Sequence, residues 1–269
     1  VATEVPAVSS AVRILETLAR ECPDLVTPST LVNELKINRS TCYNIVGTLE
    51  QAGWVAGRDG RPGWTLGPRL LMLTGVTDKI KNVVAQQEIE QLNQQLGFVV
   101  FVTEQKRGGG YQVVAVAERS SGVRVTVSLG DSFPFAAPAL MQSFLAWSDL
   151  GEVERLVKEH ELIPFTECSI TDVGRLHEAL AEVRRQGYSQ SLQQYNMAQG
   201  GVAAPVFDGM GNVSWVVCSL AFSTQLDSDN VAEVGEAIRR CAERITARTG
   251  GISPLDYRAP ESSGATAIS

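Results

Sequence analysis

Residues 27–66 read TPSTLVNELKINRSTCYNIVGTLEQAGWVAGRDGRPGWTL. Pro28–Leu35 has the spacing of a short helix, Lys36-Ile37-Asn38 that of a three-residue turn, and Arg39–Ala52 that of a second helix. Thr27 can accept a hydrogen bond from the first turn of the first helix, and Pro28 suits the first helical position because no partner is needed there. Asn38 can cap the second helix in the same way, and Gly53 closes it. Two short apolar segments follow, Trp54-Val55-Ala56 and Trp64-Thr65-Leu66, joined by the Gly/Pro-rich stretch Gly57–Gly63. Helix, turn, helix, hairpin is the outline of a winged helix-turn-helix.

The second helix has two faces. Cys42, Ile45, Val46 and Leu49 repeat at helical spacing and should pack inward. Ser40, Tyr43, Asn44 and Gly47 repeat on the opposite face, which is short, polar and uncharged, with Arg39 at its edge. A helix in the major groove needs small groups for close approach, donors and acceptors for base edges, and a cation for phosphate. Ser40, Tyr43 and Asn44 are the candidates for base edges. Arg39, Thr41 and the hairpin-tip residues Arg58 and Arg61 are the candidates for phosphate or the minor groove. Thr27 and Ser29 complete the candidate DNA-binding set. The competing reading is an ordinary solvated face, and the hairpin behind the helix weighs against it.

The chain has 269 residues, enough for two domains, with 44% hydrophobic and 20% charged residues, the composition of a globular protein. No apolar run approaches the roughly 20 residues that span a bilayer, and Val1-Ala2-Thr3-Glu4 does not begin a signal peptide. Five cysteines at irregular spacing do not make a disulfide framework, so a reducing cytoplasm is the expected compartment. The net charge is −7. Residues 1–77 carry seven Lys/Arg against seven Asp/Glu, so the whole excess lies downstream. A neutral DNA-binding domain departs from the usual basic one and asks for doubled contacts in a multimer.

Upstream, Val8–Cys22 reads as a helix with Val8, Ala11, Val12, Leu15, Leu18, Ala19 and Cys22 on one face, expected to cover the next two helices. Downstream, Pro68 starts a helix with Leu70, Leu71, Leu73, Val76 and Ile80 on its apolar side, continuing to Leu96 with a possible break near Gly75. From Gly97 the period becomes two. Phe98–Thr103, Tyr111–Ala117, Val123–Leu129, Tyr188–Leu192, Val202–Phe207 and Val213–Ala221 read as strands. Ala137–Trp147, Glu152–Glu161, Asp172–Gln186 and Asn230–Thr249 read as helices. The expected fold class is two domains: a mainly α winged helix-turn-helix (1–67) and an α+β effector domain with an antiparallel sheet (81–251). A helical linker (68–80) joins them, and 252–269 forms a disordered tail.

Six segments, in order, resemble the IclR family of bacterial transcriptional regulators. They are Val8–Leu18, Asn38–Gly53, Trp64–Leu70, Phe165–Asp172, Val183–Tyr188 and Val202–Asp208. The resemblance implies a winged-helix reader, a helical linker and a GAF-like effector-binding domain. It implies a cytoplasmic regulator, here taken as a repressor, that binds palindromic double-stranded operator DNA and a small-molecule effector as a homodimer or homotetramer. No membrane, cofactor or metal is expected. Where family members often have Pro-x-x-Ala-Thr-Ala-x-Gly, this chain has Pro134 to Met141, with Pro138 for the Thr and Met141 for the Gly. Small hydroxyl positions appear as Cys218 and Leu220, and an acidic position as Gln193 or Gln194.

These departures fall in the presumed effector pocket, between the sheet and Phe133–Gln142. Its polar end is expected at the helix start near Ala137–Ala139, where free backbone N–H groups favour an anion. Cys218, Gln142 and Gln194 are the candidate side chains beside it. Phe133, Phe135, Met141, Val202 and Leu220 are the candidate apolar wall, and Pro138 and Ala139 complete the effector-binding set. Plain core packing is the competing reading for each apolar residue singly. Together they favour an aromatic or apolar carboxylate over a small polar acid.

Other functional classes find little support. The two histidines, His160 and His177, sit in charged helical contexts read as solvated. There is no Gly-x-Ser-x-Gly elbow, phosphate loop, His-Glu-x-x-His or Cys-x-x-Cys. The alternatives retained are a redox-responsive regulator acting through a thiol such as Cys218, and a small-molecule-binding or enzymatic GAF-like protein that does not bind DNA. A pure protein-interaction module would leave the polar helix face and the hairpin arginines without a purpose.

Overall fold

The structure, a computed structural model, describes residues 4–58, 61–118 and 124–258; the side chains at 58, 61 and 71–78 lie outside that description. The chain divides into two compact units, Val1–Lys79 and Ile80–Ser269. The first unit holds α1 (Pro6–Arg20), α2 (Pro28–Leu35), α3 (Arg39–Gln51), β1 (Val55–Arg58) and β2 (Arg61–Leu66). Helix α2 starts where the Thr30 amide donates to the Thr27 hydroxyl and ends on Lys36 in the left-handed region. Helix α3 starts where the Thr41 amide donates to the Asn38 side chain at 2.7 Å. It ends at Gly53 with φ +77, where the Trp54 amide returns to the Leu49 carbonyl. The β1–β2 hairpin pairs Val55 with Leu66, and Val26 adds a short third rung against Trp64.

Ile14, Leu18, Leu31, Cys42 and Val46 are fully buried at the centre of this unit. The inward face of α1 is centred on Ile14, Thr17 and Leu18; of the face expected from the sequence, Leu18 and the half-buried Leu15 pack inward, while Val8, Val12, Ala19 and Cys22 are exposed. Val8 and Val12 are 61% and 49% exposed. Helix α1 carries two apolar stripes, and the periodicity alone could not say which one the unit covers. The exposed stripe, Val5, Val8 and Val12, is left without a partner in a single chain.

Helix α4 (Leu71–Leu96) is continuous through Gly75 and contains the boundary between the units. Its second half buries Ala85, Ile89 and Leu92 on one face of a six-stranded antiparallel sheet. The strands are β3 (Val99–Gln105), β4 (Tyr111–Ala117), β5 (Ser132–Phe133), β6 (Ser189–Leu192), β7 (Gln199–Phe207) and β8 (Val213–Phe222), in the spatial order β5-β4-β3-β8-β7-β6. The other helices are α5 (Pro138–Leu145), α6 (Leu150–His160), α7 (Val173–Gln186) and α8 (Val231–Arg248). Helices α4 and α8 cover one face; α5 and α7 cover the other. Glu88 of α4, almost fully buried, accepts from Arg244 and Arg248 of α8 at 2.6 and 2.7 Å and ties those two helices together.

Side-chain alternation along β7 and β8 separates the two cores. Val202, Ala204 and Val206 face α8, while Ala203, Val216 and Cys218 face α5. The expected strand at 123–129 is absent over 124–128; residue 123 lies outside the described residues. Its alternating valines imitate a strand, but a turn at Ser128–Asp131, held by the Ser128 amide on the Asp131 carboxylate, takes over the edge bonds of Val113 instead. The two-residue β5 then pairs with the start of β4.

Residues 252–258, expected in a disordered tail, run back over this unit. The Ile252 amide donates to the Asp208 carbonyl and the Arg258 amide to the Arg184 carbonyl. Tyr257 packs between Trp147 and Phe207. The composition of the stretch gave no hint of this, because a single aromatic side chain does the anchoring. The rest of the expected tail lies outside the described residues. No helix among the described residues is long and apolar enough to cross a membrane, and no group among them could hold a metal ion.

Candidate DNA-binding face and effector cavity

Helix α3 presents an exposed polar face: Arg39, Ser40, Tyr43 and Asn44, with Gly47 half-buried among them and Thr41 at its margin. Cys42 and Val46, on the reverse side, are buried and fix the rotation of the helix. A β-carbon built on Gly47 would meet nothing within 4 Å, so the helix surface there is open. Tyr43 is half engaged. Its ring meets Trp64 of β2 edge to face at 5.5 Å, and the Arg39 guanidinium lies 5.8 Å from its centroid. Glu50 accepts from the Gly57 amide and fastens the far end of α3 to the hairpin. Thr27 and Ser29 are exposed at the start of α2. The backbones of Arg58 and Arg61 pair across the hairpin end, but their side chains lie outside the described residues.

In the second unit a cavity of about 30 Å³ lies between the sheet and the start of α5. Phe101, Cys218 and Leu220 form its sheet side, and Phe133, Pro138 and Ala139 face them. Phe101 and Phe133 stack at 5.6 Å. Tyr195, on the β6–β7 loop, closes another side, touching Phe133 edge to face at 6.3 Å and Phe165 at 4.7 Å. The loop is held by hydroxyls: Thr166 donates to the Gln193 carbonyl at 2.7 Å and Ser169 to the Gln194 carbonyl at 2.8 Å.

Helix α5 begins with no side-chain cap, since position 137 is Ala and position 138 is Pro. The amides of Ala139 and Leu140, both in the cavity wall, have no acceptor within the first helical turn. Burial pushes the Cys218 thiol well above its ordinary range, which keeps it protonated in the wall. It is therefore a poor nucleophile and a poor redox sensor.

Five of the ten residues proposed for the effector site line this cavity: Phe133, Pro138, Ala139, Cys218 and Leu220. Gln142 and Gln194 lie next to one another, amide to carbonyl at 3.5 Å, behind the wall. Met141 is packed into the core under α5. Phe135 points away and packs against His160 with ring centroids 4.8 Å apart, so that histidine is not the solvated group expected. Val202 stands apart from the set, because its side chain lies on the opposite face of the sheet, toward α8. The wall also includes Phe101, Ser191, Tyr195 and the stretch Gln199–Gly201, which the sequence does not single out. Tyr195 was findable, as an aromatic residue in a Gln/Asn-rich loop just before a buried strand.

A helix-turn-helix with a hairpin, followed by a separate unit that encloses a small cavity, defines a class: regulators that read DNA with one part and sense with another. The family of this chain follows from its sequence matches. Residues 7–59 match the IclR helix-turn-helix domain, and residues 78–247 match the C-terminal domain of the bacterial transcriptional regulator IclR. The chain belongs to the IclR family of bacterial transcriptional regulators. It is 25% identical to the uncharacterized HTH-type transcriptional regulator RhmR of Escherichia coli over 96% of this chain and 98% of that one. It is 21% identical to the transcriptional repressor IclR of the same organism, covering 93% and 92%. Among solved structures, an IclR transcriptional regulator from Alicyclobacillus acidocaldarius superposes with a TM-score of 0.60 at 28% identity, covering 92% and 100%.

Proposed function

We propose that this regulator represses transcription by binding an operator through α3 and the β1–β2 hairpin, and that an aromatic or apolar carboxylate entering the α5 cavity controls that binding. The observation that carries the DNA part is the uncharged polar face of α3, exposed in line with a cation at its N-terminal edge. Ser40 and Asn44 read base edges; Tyr43, braced on Trp64, contributes its hydroxyl end. Arg39, Thr41, Thr27, Ser29, Arg58 and Arg61 hold the backbone. The unit carries no net positive charge to add to this, so one copy has little electrostatic affinity. A homodimer on a palindrome doubles the contacts. The exposed valines of α1, with Ile80 and Val83 exposed on α4, supply apolar surface for it. A tetramer through the effector units extends the same logic.

The effector class is argued from the cavity wall. Phe101, Phe133, Tyr195 and Leu220 offer apolar carbon, while the Ala139 and Leu140 amides offer an anion two donors. Such a molecule controls operator binding through differential affinity for two states of the protein. The test is fluorescence anisotropy on DNA from upstream of the regulated genes, with benzoate and phenylacetate compared against pyruvate and glyoxylate. Release of the DNA by the aromatic acids at concentrations where the short acids do nothing is the expected result. Release by the short acids alone overturns the effector class. Failure of the Arg61→Ala variant to flatten the salt dependence overturns the hairpin contact.

A further inference from the structure

The segment 252–258 lies beyond the matched family region, which ends at residue 247. It leaves α8 through Gly251, whose amide returns to Thr246 and whose backbone passes so close to β7 that a β-carbon there would stand 2.0 Å from the Phe207 carbonyl oxygen. Among the described residues, two backbone hydrogen bonds join the segment to the rest of the unit, one near each end, at Ile252 and Arg258. Leu255, in the middle, is fully exposed. What anchors the segment is Tyr257. Its ring packs on Trp147 at 5.6 Å and on Phe207 at 5.3 Å, in a slot left open by Gly187, where a β-carbon would fall 3.0 Å from the phenol oxygen. The hydroxyl lies near Arg239 and Glu243 without a hydrogen bond of good geometry to either.

Tyr257 stands at the C-terminal end of α5, the helix whose first turn forms the cavity wall. Two connections lead from the segment to that end. Trp147 follows Ala146, the C-terminal cap of α5, and is pinned between Phe207 and Tyr257. Arg184 makes the second: its side chain donates to the Ala146 carbonyl while its own carbonyl accepts from the Arg258 amide. Between the two ends, every residue of α5 is buried, so the helix is boxed in on all sides, and close packing of this kind transmits a displacement at one end to the other. We propose that Tyr257 is a positioning residue: by clamping the C-terminal end of α5 it sets where Ala139 and Leu140 stand in the cavity wall, and releasing the segment loosens the cavity. The link to effector binding rests on the function proposed above; the link to α5 does not.

The test is hydrogen exchange on the full-length protein, read at the amides of Met141–Ala146 and, for comparison, across β3 on the far side of the sheet order from the slot. Tyr257→Ala is expected to speed exchange in α5 by about tenfold while leaving β3 protected, because the loss is local. Tyr257→Phe, which removes only the unpartnered hydroxyl, is expected to match the parent. Equal acceleration of α5 and β3 would reduce Tyr257 to a general stabiliser and overturn the proposal, as would an unchanged α5. If Tyr257→Ala does not fold, Tyr257→Leu keeps apolar bulk in the slot and carries the same comparison at a smaller amplitude, about threefold. Benzoate, titrated separately, should bind several-fold more weakly to Tyr257→Ala than to the parent. Absence of benzoate binding to the parent would count against the effector class alone, since the exchange measurement needs no ligand.

Discussion

Helices α3 and α5 are both short, both follow a loop, and both stand at the centre of a proposed site. Their construction is opposite. Helix α3 buries Cys42 and Val46 and shows most of its other residues to solvent; α5 buries all eight. The start of α3 is capped by the Asn38 side chain, whereas α5 has Ala137 in that place and leaves amides uncapped. In the function proposed above, one helix recognises with side chains on an open surface and the other contributes backbone donors to a cavity wall. Truncations of side chains should therefore separate: on the exposed face of α3 they change binding with little effect on stability, in α5 they change stability before anything else.

The largest effect tests the α5 side of that comparison. Phe144 is buried in α5 and stacked on Tyr111 at 4.8 Å. Phe144→Ala should cost about 3–5 kcal/mol by urea unfolding of the second unit, because the core around a fully enclosed helix cannot collapse into the space. A loss below about 1 kcal/mol would mean that α5 is a loose cover, not a packed member of the core.

Next comes the α3 side. Asn44 is exposed and its side chain is free to meet a base edge. Asn44→Ala should weaken operator binding by roughly 1–3 kcal/mol and alter sequence preference at one position, with the unfolding transition unmoved. Competition anisotropy with single-base operator variants reads this. Uniform weakening across all variants would assign Asn44 to the DNA backbone instead.

The same contrast explains what the sequence could convey. The α3 face was legible because side-chain type and helical spacing determine it, and because the cap, turn and closing glycine agree with it. The order of the second unit's elements was legible from the change of period at Gly97. Its cavity was legible only in part. Phe133, Ala139 and Cys218 converge as expected, but Val202 was assigned to the wrong face, since a buried strand such as β7 is apolar on both sides and alternation carries no signal there. Val123–Leu129 failed for the converse reason: the alternation is present, yet Asp131 and the Ser128 amide close a turn that competes for the edge of β4. Helix α1 carries more apolar surface than one domain needs, and its excess points to a partner that periodicity cannot name. The anchoring of 252–258 depends on one tyrosine entering a slot made by three distant segments, a coincidence in space with no local signature.

The smallest effect sharpens the comparison most. Gly47 sits in the middle of α3, where glycine is unfavourable, and a β-carbon there touches nothing within 4 Å. For the isolated protein, alanine should be better: Gly47→Ala is expected to stabilise the first unit by up to about 1 kcal/mol through helix propensity alone. Retaining a glycine at such a position makes sense if something approaches the helix closely there. If α3 lies in the major groove, that something is DNA, so the added methyl group should weaken operator binding severalfold even as it raises stability. The two measurements, thermal unfolding of the protein and anisotropy on operator DNA, should move in opposite directions. If stability rises and affinity is unchanged, the groove does not approach Gly47, and the assignment of Ser40, Tyr43 and Asn44 to the reading face falls with it, because the same rotation of α3 places all four.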